Sequence, residues 1–134
     1  MSTVLPLHLA STYLRLRPDS AIEPLPVDDS FWGRVVSGQL GSFHNEYLVS
    51  CLDFSTDWPT WEMHPHGDEV VCLLSGRATF LLEQPHGTQT VELSACGAYV
   101  IVPKGIWHTA KASGPCHMLF ITAGEGTQHR AMGS

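Results

Sequence analysis

The sequence is poor in positive charge and has no long apolar run. Seven Lys and Arg stand against thirteen Asp and Glu in 134 residues, a net charge of -6. No basic stripe interleaved with aromatics is present, so a nucleic-acid partner, which needs cations against its phosphates, is not expected. No stretch approaches the roughly 20 apolar residues of a membrane-spanning helix. The start, "MSTVLPLHLASTYLRLRP", lacks the charged lead, apolar centre and cleavage site of a signal peptide. A cytoplasmic protein with no membrane partner is expected. No Cys-x-x-Cys pair occurs: Cys51, Cys72, Cys96 and Cys116 lie far apart. Three of them sit in or beside apolar runs and read as reduced, small hydrophobes rather than a zinc site. An apolar stripe of helical period over ten or more residues is also missing, which argues against a helical bundle.

What is present reads as β-structure. The length suits one compact domain. Strands are expected in "STYLRLR", with Tyr13, Leu14 and Leu16 as a buried set, then in "FHNEYLVSCLDFS" and "WPTWEMH". Further strands follow in "EVVCLLS", "RATFLLE", "TVELS", "GAYVIVP", "WHTAKA" and "CHMLFITA". They are short, rich in β-branched and aromatic residues, and punctuated by Gly and Pro at the spacing of a sandwich or barrel. "PDSAIEPLPVDDS" reads as loop, with Asp28, Asp29 or Ser30 capping a helical turn through "FWGRVV". "QPHGTQ" reads as a hairpin turn, and the small, polar tail "GEGTQHRAMGS" as frayed. Residues 1–42 form an N-terminal extension, 43–122 the barrel and 123–134 a flexible tail. The expected fold is all-β, an antiparallel barrel or jelly roll whose mouth can hold a ligand.

One segment, "TWEMHPHGDEVV", concentrates metal-gripping side chains: Glu62, His64, His66 and Glu69. In an extended strand Glu62 and His64 share a face, with Trp61 and Met63 on the other. Pro65 suits a strand end, and Gly67-Asp68 permits a turn that returns Glu69 beside them. His66 sits on the turn itself. Further on, "GAYVIVPKGIWHTAKA" offers His108 after a Pro-Gly turn.

Together these pieces resemble the cupin superfamily, in particular small single-domain bacterial proteins of the cupin-2 type. Its first motif reads G-x5-H-x-H-x(3,4)-E-x6-G and its second G-x5-P-x-G-x2-H-x3-N. Gly76 follows Glu69 at the required separation, and Gly97, Pro103, Gly105 and His108 fit the second motif. The resemblance covers roughly residues 43 to 122. The histidine pair itself departs from the pattern, because only two residues separate His66 from Glu69, whereas four separate His64 from it. The inward set is therefore read as Glu62, His64, Glu69 and His108, with Glu62 in place of the first histidine and His66 as the alternative ligand. Thr56 stands where the first motif has its leading Gly, and Ala112 where the second has Asn.

Two imidazoles and two carboxylates suit a divalent transition metal, Fe, Mn, Ni or Zn. Without one, Glu62 and Glu69 would crowd together and act as general acid and base. Tyr47, Val71, Leu73, Tyr99, Ala110 and Ala112 are candidate pocket lining. No Lys or Arg is expected inside, so the ligand would be a small, neutral or weakly polar molecule. The resemblance implies a metal-dependent dioxygenase, isomerase or lyase, in which Glu62 and Glu69 would be catalytic. The alternative is a non-catalytic binding or sensing module without stable metal. A homodimer is expected, with residues 11 to 17 as a pairing element between subunits.

Overall fold

A computed structural model describes residues 5–133; the first four residues of the N-terminal extension and Ser134 lie outside the described residues. The chain order is β1 (Thr12–Leu16), β2 (Ile22–Pro26), α1 (Phe31–Val36), β3 (Tyr47–Phe54), β4 (Thr60–Met63) and β5 (Glu69–Ser75). Then come β6 (Ala78–Gln84), β7 (Gly87–Leu93), β8 (Tyr99–Val102), β9 (His108–Lys111), β10 (Cys116–Thr122) and β11 (Gln128–Ala131). All pairings are antiparallel. A six-stranded sheet runs β2-β1-β3-β10-β5-β8 and a five-stranded sheet β11-β4-β9-β6-β7. The all-β jelly-roll expectation holds, with the two sheets facing each other rather than closing into one cylinder. No described helix is long and apolar enough to cross a membrane.

Alternation along the strands builds the core. Val71 and Leu73 of β5, Phe80 and Leu82 of β6, Val102 of β8, Ala110 of β9, and Met118 and Phe120 of β10 form one buried cluster between the sheets. A second cluster, Tyr13, Leu25, Phe31, Phe43, Leu48 and Cys51, ties β1, β2 and α1 to β3. The Tyr13 ring meets Phe31 edge-on at 5.2 Å.

Four local readings change. The proline-rich stretch expected as loop contains β2, which pairs with β1 at Leu14↔Pro24 and Thr12↔Pro26. Its prolines are tolerated because β2 is an edge strand, where their missing donors break no ladder. In β1, Tyr13 and Arg15 are the buried pair, not the two leucines. The Arg15 guanidinium lies 4.7 Å from the Phe43 ring centre and donates to the Leu40 carbonyl, which makes its burial tolerable. The third strand begins at Tyr47 rather than Phe43, since Phe43 and Asn45 adopt left-handed φ of 60° and 55°. Finally, the tail expected to fray contributes β11, paired with β4 from Gln128↔Met63 to Ala131↔Thr60. A small, polar composition carries no signal for a strand whose ladder partner is 65 residues away in sequence.

Candidate metal centre

The two stretches singled out in the sequence are stitched to each other by their turns. Asp68 Oδ1 accepts from the Lys104 amide at 2.8 Å, and the Gly105 amide donates to the His64 carbonyl at 3.0 Å. This brings the turn after β4 against the turn before β9. In register, Glu62 lies opposite His108 across β4 and β9. Gly67 carries no side chain where a Cβ would run into Ala123. That close approach lets the chain reverse and deliver Glu69 at the head of β5.

As a result, ligand atoms of Glu62, His64, Glu69 and His108 lie within 4.8 Å of one another. His64, Glu69 and His108 are buried, while the Glu62 side chain remains 25% exposed and forms the open side. Nε2 of His64 is 3.0 Å from Glu62 Oε1 and 3.3 Å from Glu69 Oε2; Nε2 of His108 is 3.0 Å from Glu69 Oε1. His66 is outside this group. It is exposed at the rim, with its ring beside Gly126, so it does not serve as the alternative ligand in this arrangement.

Each buried ligand has a partner behind it. Nδ1 of His108 faces the Ile106 carbonyl at 3.2 Å, which can only accept, so this nitrogen carries a proton. Nδ1 of His64 faces Thr127 Oγ1 at 2.8 Å. Thr122 Oγ1 donates to Glu69 Oε2 at 2.6 Å. The inward atoms are different: His64 Nε2, His108 Nε2 and Glu69 Oε1 are buried and have no well-directed hydrogen bond. Their separations are those of ion pairs, but they aim at a common point rather than at one another. Lone pairs gathered in this way need a positive charge among them. A divalent cation fits that demand.

A proton can meet the same demand. Burial lowers the basicity of His64, but Glu62 and Glu69 beside it outweigh this and raise its pKa from 6.5 to about 9. Burial likewise opposes ionisation of Glu69, yet contacts with His108 and His64 outweigh it and hold the pKa at about 2. Glu69 is therefore a fixed negative charge.

The expected lining divides by strand parity. Val71, Leu73 and Ala110 are buried between the sheets, and Ala112 packs against that core. Tyr47 and Tyr99 do not line the interior; they are 38% and 61% exposed. Tyr99 is out of phase with the inward Val102, so its ring leaves from the other face. Thr122, Thr127 and His129 belong to the surroundings of the site but were not picked out from sequence. Thr122 had a signal, since it shares parity with the inward Met118 and Phe120; the other two lie in the tail and had none.

No family model and no curated protein sequence matches the chain. Solved structures do. A cupin-2 domain protein from Shewanella frigidimarina aligns with a TM-score of 0.50 and 24% identity over 59% of this chain and 72% of that one. The chain has the cupin fold. An oxalate oxidase aligns with a TM-score of 0.52 and 16% identity over 60% of this chain and 44% of its own. Oxalate decarboxylase from Bacillus subtilis, as its S161A mutant, aligns at 0.51 and 16% identity over 64% of this chain. This chain matches only 24% of that decarboxylase's length. At these identities the likeness concerns the fold, and the chemistry must be argued from the residues above.

Proposed function

We propose that the chain is a metal-dependent enzyme of the dioxygenase, isomerase or lyase kind, acting on a small, neutral or weakly polar organic molecule. The observation that carries this reading is the set of orphaned inward atoms on His64, Glu69 and His108, with Glu62 closing the group. These four residues would hold the ion, iron, manganese, nickel or zinc. Such an ion supplies Lewis acidity or an anchor for dioxygen.

The protein groups divide the remaining work by exposure. Glu69 is buried and strongly acidic, so it keeps its charge and positions both histidines. Glu62 alone of the four reaches solvent and is the group placed to pass a proton between substrate and water at Oε2. Two glutamates balance a divalent charge, and no described Lys or Arg pairs with either. A phosphorylated substrate would find no Lys or Arg paired at the site among the described residues, which favours a neutral or weakly polar one. Phe80, Leu82, Met118 and Phe120 fill the space between the sheets, so the substrate must be small and enter on the Glu62 side.

A second reading, a binding or sensing module without catalysis, draws on that same filling: the Trp58 ring lies 6.4 Å from the His108 ring. Elemental analysis of protein purified without added metal separates the two. The enzyme reading expects stoichiometric transition metal that is lost in His64→Ala and His108→Ala. Metal-free protein, or occupancy that survives removal of both histidines, would overturn it.

We further propose that the chain works as a homodimer through the outer face of the six-stranded sheet. Opposite the core, the register aligns Ile121, Val70 and Ile101 in one row and Leu119, Cys72 and Tyr99 in the next, with the buried Val49 and Cys51 of β3 at the inner ends of the rows. Neither row contains a charge, although the chain carries -6. A two-fold contact places a surface against its own copy, so an uncharged face is where two such acidic chains can meet without repulsion. β1, expected to pair across subunits, already lies between β2 and β3 of its own chain.

A further inference from the structure

The C-terminal segment after β10 touches the site from three directions. Ala123 packs on Gly67, inside the turn between His64 and Glu69. Gly126 adopts φ +68°, and a Cβ there would come within 3.3 Å of His66 Cδ2 and 3.4 Å of Pro65 Cγ. The loop is thereby seated on the residues that follow His64. His66, the side chain that looked like a ligand in the sequence, is instead part of the ledge carrying this loop.

Thr127 and His129 project from that segment onto two of the four candidate ligands. Thr127 Oγ1 donates to the Gly124 carbonyl at 2.9 Å. A hydroxyl has one proton, and a carbonyl can only accept. The same oxygen, 2.8 Å from His64 Nδ1, must therefore accept from that nitrogen. Neutral His64 is fixed as the Nδ1–H tautomer, with the Nε2 lone pair turned to the site. His129 lies opposite Glu62 in the β11–β4 ladder, and its Nε2 is 3.4 Å from Glu62 Oε2. Oε1, the other carboxylate oxygen, is the one that faces His64. On the opposite face of β11, Arg130 lies 4.7 Å from the Trp107 ring centre and 5.4 Å from that of Trp61, and pairs with Glu83 at 2.7 Å. That anchor holds the strand in register with β4.

We propose that residues 124–131 form a clamp whose Thr127 and His129 are positioning residues for His64 and Glu62, setting the tautomer of one and the orientation of the other for binding a divalent cation. The proposal rests on the metal reading above. Outer partners of this kind typically govern metal affinity by about 10- to 100-fold. Ile106, in the turn before β9, and Thr122, at the end of β10, perform the corresponding task for His108 and Glu69. The chain thus orients two ligands from β10 and the turn before β9, and two from its C-terminal segment.

The test is a cobalt(II) titration of the chelator-treated full chain, followed by absorbance, with 15N NMR of the imidazoles in parallel. Expected is cobalt binding weakened about 10- to 100-fold in Thr127→Val, with near-intact binding in Thr127→Ser, which retains the hydroxyl. His129→Ala, at an exposed position, should weaken binding and alter the cobalt spectrum while melting stays close to that of the parent. Parent-like affinity and spectrum in both Thr127→Val and His129→Ala would overturn the clamp. If the parent chain itself binds no cobalt, the metal reading and the metal-positioning role fall together. The NMR, recorded at a pH high enough that His64 is neutral, then judges the orientation of His64 alone: loss of its Nδ1–H tautomer in Thr127→Val supports it, and retention overturns it.

Discussion

At the scale of single residues, the site is governed by which group carries a proton when no cation is present. His64 is surrounded by Glu62 and Glu69, and its folded pKa of about 9 exceeds the ordinary 6.5. A base that is more basic when folded stabilises the fold fully below its unfolded value and loses that contribution as pH rises through the folded one. Metal-free protein should therefore lose stability between pH 6.5 and about 9. Glu69 works in the opposite sense: its folded pKa of about 2 lies below the ordinary 4.5, so its contribution is complete above 4.5 and disappears as pH falls toward 2. A bound divalent ion would take the proton's place on His64 Nε2. Melting of chelator-treated protein should thus show an alkaline decline that metal-loaded protein lacks. An unchanged melting temperature across that alkaline range would contradict the ion-pair geometry.

At the scale of elements, the turn from β4 to β5 does most to assemble the site. Replacing Gly67 with Val would drive a side chain into Ala123 and the loop that carries Thr127. Overpacking of this kind costs about 1–3 kcal/mol. Urea unfolding of Gly67→Val should show that loss together with weaker metal binding, whereas a Val substitution at the exposed Gly33, where a Cβ meets nothing, should leave metal binding intact. Much of this element was legible in advance. Two-residue alternation put Glu62 and His64 on one face, and the spacing to Glu69 favoured them over His66, which stayed the alternative. Strand boundaries were less legible. β2 was hidden by its prolines and β11 by its polar composition, because both are edge strands whose formation depends on a neighbour rather than on local propensity.

At the scale of the whole molecule, the two sheets bury one face each against the other and leave two uncharged rows on the outer face of the larger sheet. Tyr99 and Ile101, 61% and 52% exposed, are the most open members of its two rows. Light scattering on the eluting protein should report twice the chain mass, and Ile101→Lys should give the monomer with its metal content unchanged. A monomeric parent chain would sink the dimer. By itself the sequence determined the all-β architecture, the common face of Glu62 and His64 and the four residues that converge, because these follow from period-two patterning and short-range spacing. Only the tertiary structure decided that the tail returns along β4 to support His64 and Glu62, that Arg15 of β1 is buried, and that Tyr47 and Tyr99 face outward. Those outcomes depend on which backbone edge is left unpaired and on which face of a sheet meets the other, and no local stretch of residues encodes either.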